Sequence, residues 1–107
     1  MHRDIFIKEV MKLEDELAGE DAVRCRLRLM ARCTQRVGTE RLEYRLCEVR
    51  RRNRTVGYAV GARGFGERRT VFVGGDSDVA EKIYLSIVRG KVTPCTLGYV
   101  VEDILDG

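Results

Sequence analysis

The chain has 107 residues, of which 44% are apolar and 35% charged, with a formal net charge of +3. That length and balance predict one small folded domain with a modest core, and exclude a disordered chain or a large multidomain enzyme. No apolar run approaches the roughly 20 residues of a membrane span, and Ile5-Phe6-Ile7 is cut short by Lys8-Glu9 before it resembles a signal peptide, so a cytoplasmic location without membrane contact is expected.

Residues 4–18 read as an amphipathic helix, with Asp4 as its cap, Phe6, Val10, Leu13 and Leu17 as its apolar stripe and Gly19 as its stop. The first strand spans 23–33: Val23, Cys25, Leu27, Leu29, Ala31 and Cys33 alternate with Arg24, Arg26, Arg28, Met30 and Arg32, which places those arginines on one face. Residues 34–41 read as a connection. Leu42, Tyr44 and Leu46 begin a second strand whose phase slips near Cys47–Val49, as at a bulge. Arg50-Arg51-Arg52-Asn53-Arg54 reads as a hairpin turn. A third strand follows on Val56, Tyr58, Val60 and Ala62, with a small opposite face of Gly57, Ala59 and Gly61. Arg63–Glu67 is the next turn, and Arg69, Val71 and Val73 mark the last strand. Asp76-Ser77-Asp78 opens a helix, with Asp78 and Glu81 in capping-box register and Gly90 as its stop. Thr93-Pro94 starts a final helix with Leu97, Val100, Val101, Ile104 and Leu105 on its apolar side.

These elements predict a single α+β domain over 1–107. It comprises a helical N-terminal extension (1–20), an arginine-rich, mainly antiparallel meander of about four strands (23–73), and a helical pair (76–106) packed on one sheet face. Residues 41–107, above all Thr93-Pro94, Leu97, Val100-Val101 and Glu102-Asp103, resemble a family of short bacterial proteins, chiefly from Firmicutes, classed as a domain of unknown function. The resemblance implies the C-terminal architecture and no activity.

Charge is segregated along the chain. Residues 1–22 hold three basic and seven acidic side chains, residues 23–69 fourteen basic and four acidic, and residues 70–107 three basic and six acidic. All fourteen basic residues of the middle segment are arginines. Arg24, Arg26, Arg28, Arg50, Arg51, Arg52 and Arg54 are the candidate surface for an anionic partner, because the meander returns Arg50–Arg54 to the sheet end where the first strand begins. A solvated sheet face is the alternative reading of the same residues.

Other motifs dissolve on inspection. Arg63-Gly64-Phe65-Gly66 opens like an RNA-binding RNP1 sequence but continues with Glu67 and Arg68, so a glycine-rich hairpin turn accounts for it. Gly61, Gly64 and Gly66 precede a strand rather than a helix, which excludes a phosphate loop. Glu102 and Asp103 point about 100° apart on a helix and form a polar outer face rather than a catalytic pair. The four cysteines lack metal-ligand spacing and the only histidine is His2. The expectation is therefore a non-enzymatic adaptor or regulatory module that binds a protein or itself, without cofactor, metal or small-molecule substrate. A weak, sequence-tolerant nucleic-acid binder is the second expectation.

Overall fold

The computed structural model describes residues 25–106. The helix expected over 4–18 and Arg24 lie outside those residues. The described chain is a four-stranded antiparallel meander followed by two helices packed against it: β1 (Cys25–Val37), β2 (Glu40–Arg51), β3 (Arg54–Gly64), β4 (Glu67–Gly74), α1 (Ser77–Arg89), a 3₁₀ turn (Pro94–Thr96) and α2 (Leu97–Asp106). Neither helix is long and apolar enough to cross a membrane.

The connections are tighter than the expected ones. β1 runs on to Val37, and Gly38-Thr39 turns it into β2, with Gly38 at φ 64°. Arg52 and Asn53 both take positive φ (50° and 65°), as a two-residue type I′ hairpin demands, and Phe65-Gly66 repeats that form at the next hairpin. These turns match the right-handed twist of the strands they join.

Helix ends also differ in detail. The N-cap of α1 is Asp76 rather than Asp78: its carboxylate accepts from the backbone N–H of Asp78 (2.9 Å) and Val79 (3.2 Å). Gly90 stays in right-handed helical geometry, and the left-handed position falls on Lys91, at φ 50°. A side chain is strained there, so Lys91→Gly is expected to stabilise the fold by about 0.5–1 kcal/mol, read as a rise in thermal midpoint. The Thr-Pro start produces a 3₁₀ turn before α2, in which Thr93 Oγ1 bonds Thr96 Oγ1 (2.9 Å) instead of capping a backbone N–H. At Gly98, an unfavourable residue in a helix, a Cβ would sit 3.3 Å from the exposed Arg69 guanidinium.

One sheet face carries the main core. Leu42, Tyr44, Leu46, Val60, Ala62 and Val73 meet Ala80, Ile83, Tyr84 and Ile87 of α1 and Leu97 and Val101 of α2. Two strand side chains reach the C-terminal end of α1 and the chain just beyond it: Gln35 Nε2 donates to the Val88 carbonyl (2.6 Å) and Tyr44 OH to the Val92 carbonyl (2.9 Å). The Val88 carbonyl also accepts from the Lys91 backbone N–H (3.2 Å), and Val92 lies just beyond the helix. Burial pushes the Tyr44 and Tyr84 phenols above their ordinary pKa, with a smaller contribution from Cys33. One side of α2 is open, with Tyr99 in its first turn 75% exposed and Ile104 and Leu105 in its last turn exposed as well.

The apparent slip at Cys47–Val49 has a different cause from the expected bulge. β2 keeps its alternation, and both of its faces are buried there: Leu42, Tyr44 and Leu46 face the helices, while Cys47 and Val49 face the other way. The irregularities lie in the neighbouring strands. β1 inserts Met30 between the pairs Leu29–Cys47 and Ala31–Leu46, and β3 inserts Val56 between Gly57–Val49 and Thr55–Arg50.

Candidate anionic-partner surface

Met30 decides where the arginines go. Ahead of it, Cys25, Leu27 and Leu29 share the helix-free face with Val49 and Cys47, so Arg26 and Arg28 stand on the helix-bearing face opposite Arg50 and Glu48. After it the faces exchange. Ala31 and Cys33 join the main core, and Arg32 pairs with Arg45 on the helix-free face. The single arginine face expected for the first strand is thereby divided, and Arg32 is separated from Arg26 and Arg28.

What the fold brings together is one end of the sheet. Arg26 pairs with Arg50 and Cys25 with Arg51 across β1 and β2, and Arg51 pairs with Arg54 across the β2–β3 hairpin whose tip is Arg52-Asn53. Six of the seven candidate arginines thus gather there. Arg26, Arg28 and Arg50 stand on the helix side, Arg51 and Arg54 on the reverse and Arg52 at the tip. This end extends past the part of the sheet that α1 and α2 cover.

Glu48, which the sequence reading did not single out, organises the helix-side group. Its carboxylate lies 3.4 Å from Arg28 Nη1 and 3.2 Å from Arg50 Nη1, and accepts from Thr55 Oγ1 at 2.8 Å. Arg50 also donates through Nη2 to the Asn53 carbonyl (3.0 Å), which ties the guanidinium to the hairpin turn. Glu48 is only 14% exposed at its side chain, whereas Arg28 is 68% exposed and keeps most of its surface for a ligand. Its signal in the sequence was an acidic residue two positions before Arg50, hence on the same strand face. Among the described residues, Arg26, Arg52 and Arg54 are exposed and make no ion pair.

The Thr55 hydroxyl, and then Arg50 and Arg28, hold the Glu48 carboxyl below its ordinary pKa against the opposing effect of burial. A depressed folded-state pKa adds stability above the unfolded value of 4.5, and that contribution is lost as pH falls through the folded value. Acid unfolding followed between pH 5 and about pH 2 is therefore expected to lose part of its pH dependence in Glu48→Gln.

A second arginine group, also missed, lies on the helix-free face. Arg45 Nη2 pairs with Glu43 at 2.9 Å, Arg32 Nε lies 3.7 Å from the same carboxylate, and Arg63 and Arg68 pair across β3 and β4 beside it. Glu43, Arg45, Gly61, Arg63, Arg68 and Thr70 line a shallow depression there. Its sequence signal was masked because these arginines come from different strands.

The remaining candidates stand apart from both groups. Phe65 is exposed at the β3–β4 turn, which leads into a strand, as the hairpin reading of that glycine-rich stretch expected. Cys25 and Cys47 are buried, Cys33 is half-buried and Cys95 is exposed, and among the described residues no cluster of His, Cys, Asp or Glu is arranged to hold a metal. Glu102 and Asp103 are exposed on α2. No protein-family model matches the chain, and no curated protein or solved structure is similar enough to it to count as a match.

Proposed function

We propose that the protein is a small interaction module that engages an acidic protein surface through the arginine-bearing end of its sheet. The observation that carries this reading is the array around Glu48, where one carboxylate and the Asn53 carbonyl hold Arg28 and Arg50 in place beside the exposed Arg26, Arg52 and Arg54. Guanidinium groups fixed in this way lose less side-chain entropy on binding a carboxylate, and their planar donors favour paired acceptors. A nucleic-acid surface of this size ordinarily adds exposed aromatic rings for base stacking. Here Tyr58 is half-buried against the core, and Phe65 sits at the opposite end of the β3 ladder from the Arg52-Asn53 tip.

The test is fluorescence anisotropy of a labelled glutamate-rich peptide, and separately of labelled RNA and DNA oligomers, at about 50 and about 300 mM salt. The reading expects peptide binding that weakens with salt and exceeds binding to either oligomer. Tighter binding to the oligomers, collapsing with salt through counterion release, would replace it with the nucleic-acid reading.

A further inference from the structure

The outward face of α2 carries an acidic stripe that begins with an aromatic residue. Tyr99, Glu102, Asp103 and Asp106 follow at i, i+3, i+4 and i+7, which aligns them on one side of the helix, away from Leu97 and Val101 in the core. All four are exposed. α2 contains no basic residue, and among the described residues none of its three carboxylates makes an ion pair.

These carboxylates work against the helix that holds them. They occupy its C-terminal half, where the helix dipole disfavours negative charge. Glu102 and Asp103 also stand one turn from Asp106, where like charges repel. The arginine-bearing end has the converse arrangement: Arg26 is directly opposite Arg50, and Arg26, Arg52 and Arg54 are exposed without an ion pair among the described residues. Each patch thus holds like charges that folding leaves uncompensated, and the two patches are opposite in sign.

We propose that the arginine-bearing end takes as its acidic partner a second copy of this chain, which presents the Tyr99–Asp106 stripe of α2. The proposal rests on the reading of that end as an acid-binding surface. The dimensions agree. From Asp106 to Tyr99 the helix rises about 11 Å, and from Arg26 to Met30 β1 advances about 13 Å. With Asp106 toward Arg26, the Tyr99 ring comes to Arg28 and the exposed Met30, a guanidinium and a thioether that both favour an aromatic neighbour.

The contact joins copies rather than parts of one copy. α2 packs on β4, and Gly98 in its first turn lies against Arg69, which pairs with Ala62 toward the β3–β4 turn. The arginines stand on β1, β2 and the opposite end of β3. Because the two patches differ, the contact is heterologous, and copies add head to tail. One helix face against one sheet end belongs to the weak class of interfaces, with a dissociation constant on the order of 1 mM.

Amide shifts of the full chain test this from about 0.05 mM, where it is monomeric, to about 2 mM protein at about 50 mM salt. Tyr99, Glu102, Asp103 and Asp106 are expected to shift together with Arg26, Arg28 and Arg50–Thr55 as concentration rises. Glu102→Arg/Asp103→Arg places cations where the helix dipole favours them, so the variant is expected to fold and to lose the concentration dependence at both patches. Arg26→Glu/Arg52→Glu is expected to lose it as well. Mixing the two variants is expected to restore the contact, with isotopically labelled Arg26→Glu/Arg52→Glu shifting at Tyr99–Asp106. Shifts that do not depend on concentration in the wild type, or that appear at one patch alone, overturn the proposal. If a glutamate-rich peptide still binds the arginines in that case, the self-contact alone fails. If the peptide fails too, the acid-binding reading falls with it.

Discussion

Tyr44→Ala is expected to remove most of the folding free energy. The side chain is fully buried in the second strand, and its hydroxyl satisfies the Val92 carbonyl at 2.9 Å, beyond the end of α1. Truncating a buried aromatic costs about 3–5 kcal/mol, and loss of the hydrogen bond to the part-buried Val92 carbonyl adds about 1 kcal/mol. A domain of this size has on the order of 5–10 kcal/mol in total. Tyr44→Phe separates the two contributions. It keeps the ring and loses only the hydrogen bond, so chemical denaturation is expected to show a loss of about 1 kcal/mol with an unchanged denaturant slope.

The second large effect is on binding. Arg26→Glu/Arg52→Glu reverses two exposed charges that make no ion pair among the described residues, so the fold is expected to tolerate it. Each reversal replaces an attraction worth about 0.5 kcal/mol with a comparable repulsion, about 2 kcal/mol for the two together. Affinity for the acidic peptide is therefore expected to fall on the order of 30-fold at low salt, with the difference shrinking as the Debye length shortens. Equal affinity of the variant and the wild type would remove the sheet end from consideration as the binding surface.

The fold was legible where one physical constraint dominated. Val60, Ala62, Ile83 and Ile87 sit on clean periodic faces, and their elements and pairings follow from that. The helix-ending details were not, because Asp76 and Asp78 offer equivalent carboxylates and only the backbone path selects between them. Gly90 and Lys91 pose the same problem at the other end. Glycine was the natural residue for the left-handed position, yet the chain places a lysine there.

The arginine surface failed to show itself for a deeper reason. From Cys25 to Cys33 every odd position is apolar, and Met30, the one apolar residue on the even phase, stands where the two faces exchange without revealing by itself that they do. The exchange is hard to see because apolar residues pack on both faces of this sheet: Leu27 belongs to one cluster, Ala31 and Cys33 to the other. A sheet with one wet face would have broken the pattern at the bulge. The same two-sided burial produced the false slip in β2. Glu48 was overlooked because a lone acidic residue among arginines looks like neutralisation, whereas its three partners converge only once two hairpins are closed.

The most direct test of the arginine-bearing end is to map an acidic peptide onto the full chain by amide chemical-shift perturbation. The account predicts shifts confined to Arg26, Arg28, Glu48 and Arg50–Thr55, lost in Arg26→Glu/Arg52→Glu. Shifts centred instead on the exposed side of α2, at Tyr99, Ile104 and Leu105, would contradict it and move the interaction surface to the other end of the chain.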